Sequence, residues 1–262
     1  GYARRLLALA RQDPSVNEDA PFRTKLRQQH ALCTYKDPDL SEEERFDRAI
    51  QILADCDDLH NTTDQETLSI AGAIYKYKWH AFAQSRDLET SLHYYRRGYE
   101  RGIRNDRGCT AINAAFVYDL TGDAEAAKRI RQEIVDAAPS LFAETPGLKQ
   151  DWWFQVTIAE AYFGLEKYQL AQPALKAAAE AASIPDAVPE WEFEAAARQI
   201  ASLARLQMER AGRAKQMAGS EAWNVLETFL GGRAPGVWTI FLGKVGLSLS
   251  GGGFRASLFH IG

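Results

Sequence analysis

Apolar residues recur along most of this chain at three- and four-residue steps, the period of helices buried on one side. The clearest stripe is Leu68, Ala71, Tyr75, Trp79 and Phe82. Residues 2–35 predict one or two helices, with apolar faces at Leu6, Leu7 and Leu9 and then at Phe22, Leu26 and Leu32. Ser41-Glu-Glu-Glu44 is a capping-box signature, with a hydroxyl for the first free backbone N–H groups and a glutamate three residues on; it opens a helix through Phe46, Ile50 and Leu53. Thr63-Asp-Gln-Glu66 repeats the device. Pro185 and Pro189 interrupt the pattern after Ala182, Trp191 to Met208 predicts a long helix, and Met217 to Leu230 predicts the last, closed by Gly231-Gly232. Nothing before residue 235 alternates as a strand does. Beyond a glycine-rich hinge at 231–236, Val237 to Leu242 is a short strand or an apolar lead-in. Val245, Leu247 and Leu249 then alternate with Gly246, Ser248 and Ser250, the period of a strand packed on one face.

Within the helical part, small residues recur where paired helices would approach closely, with aromatics between them. One pair carries Ala115 and Tyr118, then Ala127 and Pro139; another carries Ala159 and Tyr162, then Tyr168, Ala171 and Ala178. A looser pair has Gly72 and Tyr75 on one helix and Ser91, Tyr95 and Gly98 on the next. The second-helix anchors fall at 91, 127 and 171, steps of 36 and 44, against about 34 in a tetratricopeptide repeat. The expectation is a tetratricopeptide-like α-solenoid, in which small residues admit close helix approach and aromatics fill the gaps between successive pairs.

Residues of about 31–210 also resemble the TRAFs-binding, tetratricopeptide-type regulatory region of the apoptosis signal-regulating kinases. The similarity lies in Ala31-Leu-Cys-Thr-Tyr-Lys-Asp37, Asp64-Gln-Glu-Thr-Leu68 leading into Ala71-Gly-Ala-Ile-Tyr-Lys76, Ser91-Leu-His-Tyr-Tyr-Arg-Arg-Gly-Tyr99, Ile112-Asn113 and Asp151-Trp152-Trp153. The resemblance implies a regulatory scaffold.

Chemistry speaks from the C-terminal stretch. Ser250-Gly251-Gly252-Gly253-Phe254-Arg255 joins the strand at 245–250 to an apolar run (Phe254, Ala256, Leu258, Phe259, Ile261) that predicts a buried helix. Strand, glycine turn, helix is the layout that aims free N–H groups at an anion, and residues without a Cβ let the backbone approach it. A P-loop would need G-K-[ST], which does not follow Gly253, and a kinase loop would need glycine where Ala256 stands. Residues 245–262 resemble the start of a patatin-like phospholipase domain. By that resemblance Gly251, Gly252 and Gly253 would form the oxyanion hole of ester hydrolysis, with Arg255 steadying the loop or the anion. The family's nucleophilic serine in G-x-S-x-G and its aspartate are absent from these 262 residues. The expectation is therefore a piece cut inside its catalytic domain, with no nucleophile and no activity of its own.

Composition narrows the partners. A formal net charge of -4 argues against a nucleic-acid binder, and no apolar run reaches the roughly 20 residues that span a bilayer. Cys33, Cys56 and Cys109 are too scattered for a C-x-x-C site and are expected as buried thiols in a reducing cytoplasm. The five histidines show no zinc spacing, so neither metal nor organic cofactor is implied. Arg97, Arg101 and Arg104 lie four and three apart, so on one helix they would share a face. They could grip an acidic peptide, a nucleotide or a lipid headgroup, or form a solvated face offset by Glu100 and Asp106. Trp152-Trp153-Phe154 and Tyr94-Tyr95 are expected in the core between repeats.

The expected organisation is N-terminal helices over 1–62, helical repeats over 63–230, a hinge over 231–244 and the first β-turn-α of an α/β patatin-like hydrolase over 245–262. The expected function is the regulatory, protein- or peptide-binding region of a bacterial patatin-like serine acylhydrolase acting on phospholipid or acyl-ester substrates. Its expected location is cytoplasmic, with at most peripheral membrane contact. The alternative is a non-catalytic tetratricopeptide scaffold.

Overall fold

The computed structural model describes residues 1–55, 57–184, 187–213 and 219–234, and all regular structure among them is helical. The expected β-turn-α of 245–262 and the lead-in at 237–242 lie outside the described residues. The N-terminal stretch holds three helices where one or two were expected: α1 (Tyr2–Ala10), α2 (Pro14–Glu18) and α3 (Ala20–Tyr35). Two of the breaks are local in origin. Pro14 and Pro21 each sit in a first turn, where a missing N–H costs nothing, and Asp19 caps α3 by accepting from the Phe22 N–H at 3.0 Å.

Four antiparallel helical pairs follow. They are α3 with α4 (Glu42–Ala54), α5 (Gln65–Phe82) with α6 (Ser85–Tyr99), α8 (Cys109–Thr121) with α9 (Ala124–Glu144), and α10 (Trp152–Gly164) with α11 (Tyr168–Ala182). The short α7 (Ile103–Asp106) is inserted between α6 and α8. Each second helix leans on the first helix of the next pair: α4 on α5, α6 on α8, α9 on α10. This is the nearest-neighbour stacking of a tetratricopeptide-like solenoid. A fifth pair, α12 (Glu190–Arg210) and α13 (Glu221–Leu230), ends the described chain, and here the pattern changes. α13 packs on α11, while α12 packs on α10 and reaches α8.

Caps set the helix starts. Ser41 accepts from the Glu44 N–H, as its signature predicts. In the second signature the cap is Asp64, one residue later than Thr63: its carboxylate accepts from Thr67 N–H at 2.7 Å and from the Gln28 side chain at 2.7 Å. A carboxylate at a helix N-terminus gains from the helix dipole what a hydroxyl does not. The turn from α8 to α9 is made by Gly122 at φ +90°, a backbone region that favours glycine, followed at once by the capping Asp123.

The small residues mark the close approaches as expected. Ala115, Ala127, Ala159, Ala171 and Ala178 are buried in the core. A Cβ on Gly72 would meet the Tyr95 ring at 2.9 Å, and one on Gly98 would collide with Thr110 of the next pair. Ser91 fits there because its hydroxyl donates to the Gly72 carbonyl at 2.8 Å. One apolar cluster joins α3, α4 and α5, so the core runs unbroken across residues 62 and 63; a second centres on α8 and α9 and a third on α10 to α13.

Candidate binding face and the helix laid across it

The three arginines singled out above do not form a stripe on one helix. α6 ends at Tyr99 and Gly102 turns the chain at φ +103°, so Arg97 lies on α6, Arg101 in the turn and Arg104 on α7. Arg97 donates to the carbonyls of Leu59 and Thr62, both at 2.8 Å, and so holds the connection between α4 and α5. Arg104 pairs with Glu144 and donates to the Ser140 hydroxyl at 3.0 Å, tying α7 to the end of α9. Arg101 is exposed. Gly251, Gly252, Gly253 and Arg255 lie outside the described residues.

Two further expectations need correction. Cys109 is exposed and Cys33 half-buried, because each sits on a first helix and away from the pair's core; Cys56 lies outside the described residues. Trp152 and Phe154 are buried as expected, but Trp153 is 46% exposed. It lies in the first turn of α10 next to Trp152, whose indole is the one that turns to α11 and donates to the Ala178 carbonyl at 3.1 Å.

The first helices α3, α5, α8 and α10 form a row, and α12 lies across it. One side of α12 is apolar: Phe193, Ala197, Ile200, Leu203 and Ala204 join the core shared with α10, α11 and α13, and Phe193 stacks on Phe229 at 4.7 Å. The other side is polar and meets the row. Lys76 of α5 donates to the Asn113 side chain of α8 at 2.7 Å and to the side-chain amide oxygen of Gln199 on α12 at 2.6 Å. The Gln199 amide in turn donates to both carboxylate oxygens of Glu160 on α10, at 3.0 and 3.1 Å. A lysine donor on one side and a carboxylate acceptor on the other match the two ends of a carboxamide. Farther along α12, Gln207 donates to the Phe163 carbonyl at 2.9 Å. Arg210 grips Asp119 of α8 through its carboxylate at 2.6 Å and its carbonyl at 2.8 Å.

Beneath this seam lies a buried charge cluster. Arg131 of α9, 1% exposed, meets the other Asp119 oxygen at 2.6 Å. Burial is the main influence on the two charges flanking Gln199: it pushes Lys76 down to about 8, against the pull of Glu160, and holds the Glu160 carboxyl up at about 6, against the pull of Arg131. The Lys76 ammonium also lies 5.5 and 5.7 Å from the ring centres of Phe116 and Tyr95, which lets a cation rest in an apolar setting.

A pH dependence follows. Since the folded chain holds the Glu160 proton more tightly than the unfolded one, this group's contribution is fully present below the ordinary carboxylate range and is lost as pH rises through about 6. Thermal midpoints of the wild-type chain and of Glu160→Gln, measured in parallel, should therefore change relative to each other. As pH falls from 7 to 5, the wild type should gain on the variant. A constant difference would mean that the carboxyl does not titrate there.

Sequence reasoning missed Lys76, Asn113, Glu160, Gln199 and Asp119. A signal existed for Glu160: it is the lone charge of α10, a helix buried nearly all round. Such a residue must find a partner inside. Among the described residues no group of three or more His, Cys, Asp or Glu side chains could hold a metal, and no helix is long and apolar enough to cross a membrane. An open recess of about 750 Å³ lies off the row, between the first turns of α3 and the 57–64 connection, lined by Thr24, Lys25, Gln28, Asp57, Asp58 and Asp64 among others.

Comparison with known proteins bears on the repeats. Residues 2–118 match a family model described as Tetratricopeptide Repeats-Sensor, a span that runs from α1 through most of α8. No curated protein and no solved structure matches the chain. The chain therefore contains a tetratricopeptide-like helical region, of the kind that in general binds protein partners.

Proposed function

We propose that this chain is the regulatory, partner-binding helical-repeat region of a patatin-like serine acylhydrolase. The observation that carries the first half is the row of first helices, packed through small residues and matched over 2–118 by the repeat-sensor family model. The second half rests on Ser250-Gly-Gly-Gly-Phe-Arg255 and its flanking apolar pattern. In this reading 1–62 and 63–230 form the sensing solenoid, 231–244 is the hinge, and Gly251 to Gly253 hold the oxyanion of a phospholipid or acyl ester in the cytoplasm. The partner is a protein or peptide segment. If that segment is acidic, Arg101 and Arg104 meet it at the surface, while Arg97 is engaged with the Leu59 and Thr62 carbonyls.

An activated serine reacts with fluorophosphonates, so the test is to label the cells that make this protein with such a probe. The expected result is a labelled band larger than the 29.2 kDa of this chain that yields tryptic peptides from residues 1–234. Recovery of those peptides only from unlabelled protein would remove the hydrolase and leave a repeat scaffold.

A further inference from the structure

A second recess, of about 300 Å³, opens between α1, α3 and α4, at the small end of the range for small-molecule sites. Ala8 and Ile52 give it an apolar wall, while Arg4 of α1 and Arg48 of α4 bring guanidinium groups to it. His30 of α3 lines it too and is 6% exposed. The His30 Nδ1 lies 3.1 Å from a guanidinium nitrogen of Arg11. A guanidinium only donates, so Nδ1 accepts and the proton of the neutral ring sits on Nε2. Burial pushes the imidazole down to about 4, and Arg11 and Arg4 push it the same way, so the ring is neutral at pH 7 and its surroundings are positive. Its Nε2–H donates to no described residue. A buried donor normally has an acceptor; here, in the wall of a recess, the acceptor is one that arrives from outside.

The neighbouring charges leave room for an anion. Arg4 gives Asp37 its Nε, and its two terminal amino groups bond no described residue. Arg48 pairs with Glu44 at 2.6 Å, one turn away on the same helix and largely exposed, a contact that an incoming anion replaces at little cost. Asp55 is the one acid lining the recess. Arg11 holds its carboxylate at 3.1 Å and Arg27 donates to its carbonyl, so its charge is countered from two sides.

We propose that this recess binds a phosphate group, with the His30 Nε2–H and the free guanidinium nitrogens of Arg4 and Arg48 as its donors. Donors from three helices converge from three directions, which suits the oxygens of a tetrahedral phosphate better than the two coplanar oxygens of a carboxylate. The phosphate is either free or the head of a phosphorylated small molecule whose carbon part lies along Ala8 and Ile52.

The test follows the histidine ring nitrogens of the whole chain by NMR while inorganic phosphate, glycerol phosphate or acetate is added at constant ionic strength. Phosphate at millimolar concentrations should move the His30 resonances, identified by their loss in His30→Gln, and leave the other histidines in place. It should also raise the pH at which His30 takes up its second proton, because an anion beside the ring favours the imidazolium. Arg48→Gln, at an exposed site that the fold does not need, should weaken binding about tenfold, as expected for one charge-assisted hydrogen bond. Lys25→Gln removes a charge from α3 outside the recess and should bind as wild type. Tighter binding of the ester than of inorganic phosphate would assign the recess to a phosphorylated molecule, and equal binding to free phosphate. A silent His30, an equal response to acetate, or the same loss in Lys25→Gln as in Arg48→Gln would each overturn the site.

Discussion

Asp119→Ala is expected to lower the unfolding free energy by about 3–5 kcal/mol, the cost of leaving a buried charge without its partner. Asp119 holds two guanidinium groups. Arg131 is 1% exposed and meets it at 2.6 Å, and Arg210 approaches from α12 at the same distance. With the carboxylate gone, Arg210 can turn to solvent because its side chain is 36% exposed, but Arg131 cannot. The loss therefore belongs mostly to Arg131. Urea unfolding of the variant would measure it, and two further variants would assign it. Asp119→Asn keeps the shape and a hydrogen-bond acceptor while removing the charge, and should cost less. Asp119→Leu combined with Arg131→Met should recover much of the loss, since well-packed apolar residues can replace a buried ion pair. A loss below about 1 kcal/mol in Asp119→Ala would place it in the range of exposed ion pairs and show that water reaches Arg131.

The second large effect comes from the opposite side of the same arginine. Gly164 ends α10, and a Cβ there would run into the Nε, Cδ and Cζ atoms of Arg131. A flexible side chain could step aside; this one is pinned by Asp119. Gly164→Ala should cost about 2–3 kcal/mol through overpacking. Gly147→Ala, with nothing within 4 Å of the added carbon, should cost little and serves as the control. Because the two sites share Arg131, the effects should not add. Once Asp119→Ala has freed the guanidinium, the extra methyl of Gly164→Ala should cost less, and a double-mutant cycle should read a coupling of about 1 kcal/mol or more.

Much of the architecture was legible in the chain, and the reason is local. Ser41, Ala115, Ala127, Ala159 and Ala171 announce caps and close helix crossings through properties of single residues and short spacings. The long helix after Pro189 and its successor closed at Gly231 were legible for the same reason. The arginine trio misled because a spacing of four and three implies one face only while the helix continues, and Gly102 ends that condition. The polar seam under α12 was illegible on different grounds. Lys76 and Gln199 stand 123 residues apart, and Lys36 and Trp191 still farther; no periodicity connects residues whose meeting depends on the summed curvature of all the helices between them. The exposure of Cys109 and Trp153 follows from that same curvature, which decides what a first helix faces once its own pair is packed.

The helix across the row also fixes how many repeats the chain can hold. α12 has 21 residues, so at 1.5 Å per residue it measures roughly 30 Å. It touches the four first helices at set points along that length. Repeat arrays ordinarily tolerate gain or loss of a unit, because each unit answers only to its neighbours. Here one more pair inserted between α9 and α10 would carry Asp119 and Lys76 out of reach of Arg210 and Gln199 together. This chain should accept changes inside its repeats far more readily than changes in their number.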